Sequence, residues 1–300
     1  MRILIRTSKW AILARRLGSL AIPLTVIPVL LHREHAISSD IFLIAAALAA
    51  LIAGLAVLVA MVALVRLWNS GDQGWGRAFG GLFLGLLCLA PVGYYVALAL
   101  HYPQVTDIAT TDRGRLPLVL EPDTTLMPPP HLLSEAQIET IFPNVKTRIY
   151  PLNAQQAYDI VLRMVTDRGW DIRLQRAPAT PTGIGQINAR IVTLAGWREE
   201  AVLLVTGTAA GASVDMRSAS INAVHDFGSN GERIEDFLVA LDTEVTALLR
   251  DNPNADQPVE ADAEDDADGA SAHTAPPSQP PIPAERPPVD DVPTEMVSPG

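Results

Sequence analysis

Residues 41–65, IFLIAAALAALIAGLAVLVAMVALV, are 25 consecutive positions without a charged side chain. A bilayer core about 30 Å thick takes roughly 20 helical residues to cross, so this run is long enough to span it. The 23 residues at 78–100, AFGGLFLGLLCLAPVGYYVALAL, predict a second crossing, with Pro91 as a kink and Tyr94, Tyr95 and Tyr102 at headgroup depth. Residues 17–31 supply only 15 apolar positions, broken by Pro23 and Pro28. A first crossing over about 10–31 therefore requires Arg15 and Arg16 to reach back to the interface. The same segment also fits a cleaved signal peptide, although no small-x-small cleavage pattern follows it closely.

Flanking charge sets the orientation. Arg2, Arg6, Lys9, Arg15 and Arg16 precede the first span, and Arg66 and Arg77 flank the loop between the second and third. Positive residues stay on the cytoplasmic side, which predicts a cytoplasmic N-terminus and a multi-pass membrane protein with three crossings. Everything after Leu100 is then expected in the periplasm or its extracytoplasmic equivalent. No Asp, Glu, Lys or His lies inside 41–65 or 78–100, which weighs against a transporter or proton relay. Small residues recur as Ala46, Ala50 and Gly54 on one span and Gly81 and Gly85 on the other, a pattern that lets helix backbones approach closely.

The net charge of −11 belongs to the C-terminus, because residues 251–300 hold 12 acids and one Arg while the rest of the chain is neutral. With 11 prolines and no aromatic residue, that segment is expected to be a disordered acidic tail, a tether or contact segment. Neither soluble region carries a cationic cluster, so nucleic acid is not an expected partner. One thiol, Cys88, excludes a disulfide framework and a cysteine zinc site. His32 and His35 lack a third ligand, no phosphate-binding glycine loop occurs, and no cofactor or metal is expected.

Between these ends the sequence predicts a proline-broken lead-in at 101–144 and a soluble domain at 145–250. The lead-in holds a short helix, capped by Ser134 and Gln137, that runs to Phe142. In the domain, a strand at 145–150 precedes a helix with the box Asn153 and Gln156 and the apolar stripe Tyr158, Val161, Leu162, Val165. Gly169 ends that helix. Strands follow at 170–174, 184–194, 200–208 and 212–221, and a last helix starts at a capping box from Ser229 to Glu232. Strands joined by tight turns pair antiparallel, and two amphipathic helices need one sheet face to cover. The expected fold class is α+β: transmembrane helices, then a curved antiparallel sheet with two helices on one face in β-α-β4-α order. That order is similar to TATA-binding-protein-like folds in topology alone.

The pieces RGWDI (168–172), GWREEAV (196–202), SVDMRSAS (213–220) and HDFGSNGERIEDFL (225–238), with TDIATTD (106–112), resemble the bacterial family of domain of unknown function 1499. The resemblance implies a membrane-associated or envelope domain and supplies no reaction. Where that family has an Arg after its R-S-x-S run and a Gly two further on, this chain has Ile221 and Ala223.

Candidate binding residues are Arg217, Ser218, Ser220, Asp226, Asn230 and Arg233, a polar cluster around the last strand and the start of the last helix. Alternation puts Asp215 and Arg217 on one face of that strand and Met216, Ser218 and Ser220 on the other. One reading is a pocket in which a helix N-terminus and Arg233 hold a small anionic ligand. The other is structural, with Asp226 setting a turn, Ser229 capping the helix and Arg217 pairing with a carboxylate. A Ser/His/Asp relay from Ser218 or Ser220, His225 and Asp226 lacks a nucleophile elbow and the alignment it needs. Glu199 and Glu200 read as charges that terminate pairing and keep an edge soluble. The expected function is an integral membrane protein presenting an extracytoplasmic binding or scaffold module, with the bilayer and an envelope protein or anionic ligand as partners. The alternatives are an envelope enzyme using Arg217, Asp226 and Asn230, and a structural subunit of a membrane complex.

Overall fold

The computed structural model describes residues 7–119, 130–221 and 223–251, so the expected acidic tail lies outside the described residues. Three helices open the chain: α1 (Lys9–Arg33), α2 (Ser39–Ser70) and α3 (Trp75–His101). Each is long and apolar enough to cross a membrane. They extend past the apolar runs because polar residues end them. The Ser38 hydroxyl accepts the Ile41 N–H at the start of α2, and Gly71, at φ 68°, closes its end with an N–H to the Leu67 carbonyl. Pro23, Pro28 and Pro91 lie inside helices rather than ending them.

Small side chains set the packing of this bundle. On α2 the buried stripe is Ala49, Ala53, Ala56, Ala60 and Ala63. A Cβ added at Gly81 would stand 2.5 Å from the Ala14 carbonyl carbon of α1, and one at Gly85 2.9 Å from the Ala53 carbonyl oxygen. Both glycines are therefore used within the chain. Gly54, expected on the same seam, has nothing within 4 Å of an added Cβ and faces away from it.

The remainder is built from β1 (Asp107–Ala109), α4 (Glu135–Ile141), β2 (Arg148–Tyr150), α5 (Ala154–Asp167), β3 (Asp171–Arg176), β4 (Ile184–Val192), β5 (Arg198–Thr208), β6 (Gly211–Ile221) and α6 (Ser229–Asp251). Ser134 with Gln137 and Asn153 with Gln156 form the capping boxes of α4 and α5. The sheet runs in the order β1-β6-β5-β4-β3, all antiparallel, with β2 also on β6. From β2 onward this is the β-α-β4-α order, and β1, inside the expected lead-in, adds a short strand beside β2 along β6. Three residues carry too little alternation to announce a strand.

Alternation along β5 and β6 divides the core. Ala201, Leu203, Val205, Val214 and Met216 face Tyr158, Val161 and Val165 of α5 and Ile234, Phe237, Leu238 and Leu241 of α6, so both helices share one face. On the other face Val202 and Leu204 pack with Ala109 and Leu116, and Leu116 is fully buried. Residues 110–119 thus lie against the second face. Polar groups hold them there, since Glu200 accepts the Val119 N–H at 2.6 Å and Asn188 donates to the Pro117 carbonyl at 2.9 Å.

The turn between β4 and β5 sits on the bundle. The carbonyl of Ala195 can only accept, so His32 Nδ1, at 2.6 Å, donates to it, and Nε2 lies 3.2 Å from the Ser39 hydroxyl. The ring stacks on Phe42 at 4.6 Å, and Trp197 meets both edge-on. Gly196, at φ +91°, brings its backbone so close that an added Cβ would stand 2.7 Å from Arg33 Cα. Tyr95 contacts Phe227 at 5.2 Å, and Tyr102 stacks on Phe142. The Tyr102 hydroxyl donates to Glu232 at 2.6 Å, and that bond pushes its pKa up to about 12. His32, considered in the sequence only as half of an incomplete metal pair with His35, is buried in this seat.

Candidate functional site

Ser229 is the first residue of α6 and does not cap it. Asp226 takes that part: its carboxylate accepts the N–H of Gly228 at 3.0 Å and of Asn230 at 3.4 Å, two donors the helix start leaves unpaired. The loop before α6 turns through two positive φ values, 55° at Phe227 and 86° at Gly228. The Ser229 hydroxyl points to the sheet and donates to Glu199 at 2.8 Å.

Around that start lies a closed polar network. Asn230, fully buried, has Nδ2 2.9–3.2 Å from three acceptors, the Thr106 carbonyl, the Ser220 hydroxyl and Asp226, which share its two N–H groups. Its Oδ1 accepts from Ser218 at 2.8 Å and from Arg233 at 3.3 Å. Arg233 also donates to Ser218 and pairs with Glu199, which accepts from Ser220 and Ser229 as well. Ser218, Ser220, Asp226, Asn230 and Arg233 are thus brought together. Arg217 is not among them. It lies on the opposite sheet face, forked onto Asp107 at 3.0 and 2.7 Å and donating to the Leu116 carbonyl.

Charge decides what the network can do. The two seats an anion would take, the α6 N-terminus and the Arg233 guanidinium, hold the chain's own Asp226 and Glu199. Ser218 donates to Asn230 and Ser220 to Glu199, while His225 accepts from the Phe227 N–H, so the Ser/His/Asp relay is not assembled. Glu199 was missed as a member because it reads as an edge charge. Its parity gives it away, since Glu199, Ala201, Leu203 and Val205 alternate onto the helix-covered face and it is buried at 3% exposure.

Burial pushes the Asp226 carboxyl above the ordinary aspartate range, against the N–H and amide donors that favour its charged form. The folded chain therefore binds this proton more tightly than the unfolded chain. The resulting stabilisation is complete below the ordinary value of about 3.9 and is lost as pH rises through the raised value. Asp226→Asn is expected to remove that slope: wild-type stability relative to the variant falls as pH rises through this window. Unfolding in urea at a series of pH values measures it, and a wild type that gains on the variant as pH rises would show the sign to be wrong.

Two cavities stand apart from the network. A cleft of about 750 Å³ between β1 and α4 is lined by Thr110, Asp112, Arg113, Glu139, Lys146 and Thr147. Its Lys146 and Arg113 are paired with Glu139 and Asp107. A second, almost wholly apolar pocket of about 420 Å³ lies where the bundle meets the domain.

The fold and its seat define an α+β domain carried on three apolar helices. Residues 123–241 match the family model described as "Protein of unknown function (DUF1499)", so this part of the chain is similar to that family. No curated protein and no solved structure matches the chain.

Proposed function

We propose that this protein is a membrane-anchored binding or scaffold module whose domain is held at the extracytoplasmic face of the bacterial inner membrane. The observation that carries this is the seat: His32, Phe42 and Trp197 interlock at the end of two apolar helices, and Gly196 lies against the backbone of α1. A domain on a loose linker would need no such contact. The seat fixes which surfaces face the bilayer and which face away, as a platform requires. The filled anion seats favour a structural role for the polar network and leave the outer surfaces for partners.

Orientation follows from the basic residues before α1 and around residues 66–77. Alkaline phosphatase fused after Leu249 is expected to be active in cells, and a fusion at Gly71 inactive. The reverse pattern would put the domain in the cytoplasm and end this reading of its side.

A further inference from the structure

The ends of α2 and α3 nearest the domain do not close on each other. At Gly85 and Ala53 the two backbones touch, yet nearly two turns further along α3 all seven residues from Pro91 to Ala97 are exposed. Seven residues cover every side of nearly two helical turns, so this stretch of α3 is packed tightly on no side, and Phe227 meets it only at the Tyr95 ring. The gap is the pocket of about 420 Å³, walled by Val29 on α1, Ala46 and Ala50 on α2, and Cys88 and Val92 on α3, with Trp197 and Phe227 of the domain also lining it.

Its depth determines its solvent. Ala50 lies about 16 Å along α2 from Ser39 at 1.5 Å per residue, well inside a hydrocarbon core about 30 Å thick. Apolar cavities do not hold water, and left empty their walls forfeit packing contacts. A helix 10–12 Å across fills roughly 400–600 Å³ in each turn, whereas an alkyl chain one carbon wide can enter a pocket of this size at its full width. The surrounding medium supplies alkyl chains one carbon wide. We propose that this pocket holds one alkyl chain of a bilayer lipid, entering sideways between α2 and α3 and ending beneath Trp197 and Phe227. The domain thereby reads the lipid from above while the helices hold its tail. This rests on the reading that the helices span a membrane.

Native mass spectrometry of the full chain, released from its membranes in mild detergent, tests it. The wild type is expected to keep one lipid per chain under activation that strips the rest. Ala46→Phe and Ala50→Phe, which fill the pocket, are expected to lower that retention at least roughly tenfold, the loss for displacing two methylenes. Leu51→Phe, on the exposed side of α2, should leave it unchanged. Equal retention in all four proteins, no retained lipid, or a second chain in its place overturns the proposal. Should the pocket-filling variants fail to fold, reconstitution of the wild type in lipids with brominated chains decides alone. Trp197 fluorescence, taken as the difference from Trp197→Phe, is then expected to be quenched, and an unquenched Trp197 overturns the pocket. Carbonate washing separates the two ideas: a chain that stays in the washed membrane without its lipid loses only the pocket, whereas one that is extracted loses the anchoring too.

Discussion

Replacing Arg233 by Met is expected to destabilise the domain by about 3–5 kcal/mol, the cost of removing one partner from a buried ion pair. The Glu199 side chain is 4% exposed and that of Arg233 15%, so neither has water to fall back on. Met matches the volume of the stem but leaves Glu199 buried with two serine hydroxyls alone. Ser218 and Asn230 each lose a charged donor in the same step. Most of the loss is the stranded charge rather than the worth of the pair. Arg233→Met combined with Glu199→Gln is therefore expected to recover the larger part of it, a coupling that a double-mutant cycle reads directly. Denaturant unfolding of the four proteins measures both numbers. A single variant within about 1 kcal/mol of wild type would mean that Arg233 is free for a ligand and that the network does not depend on it.

That expectation could not have been written from the sequence, for a reason visible in particular residues. Six positions were grouped because they lie close in the chain, and five of them do meet. Arg217 is separated from the rest by the thickness of the sheet: alternation sends it to the opposite face, where Asp107 of β1 holds it. Its partner comes from a three-residue strand with no period to detect. The elements with strong periods, α5, α6 and the hairpins of β4, β5 and β6, were legible because local pattern and burial agree over many residues. Long-range polar partners leave no such trace. Glu199 shows the intermediate case, since its parity was readable but a charge at the start of a strand suggests solvent. The seat was hidden for the same reason: His32 and Trp197 are 165 positions apart, and each looks like an ordinary loop residue. Small-residue spacing announced that helices would touch, yet the face used on α2 runs through Ala49, Ala53 and Ala56 rather than Ala46, Ala50 and Gly54. One position of shift is enough to exchange the packed face for the wall of a pocket.

Gly196→Val is expected to lift the domain from its helices. At φ +91° a β-branched residue is strained by about 1–3 kcal/mol before any contact is counted. The added carbon would also meet backbone atoms of α1, 2.7 Å from both the N and Cα of Arg33 and 2.8 Å from the carbonyl carbon of His32. Backbone in the last turn of a helix cannot swing aside as a long side chain can, so the turn must move. Moving it breaks the bond from His32 to the Ala195 carbonyl and takes the Trp197 ring off His32 and Phe42. Gly54→Val is the matched control, because an added Cβ there meets nothing within 4 Å. Helix propensity alone makes that change nearly neutral. For the full chain in detergent, Gly196→Val should lower the melting temperature by several degrees, at roughly 2–4 °C per kcal/mol, and Trp197 should become accessible to a water-soluble quencher. A variant that melts with the wild type and keeps Trp197 shielded would show that the domain does not depend on this seat. The platform reading would then lose the contact on which it stands.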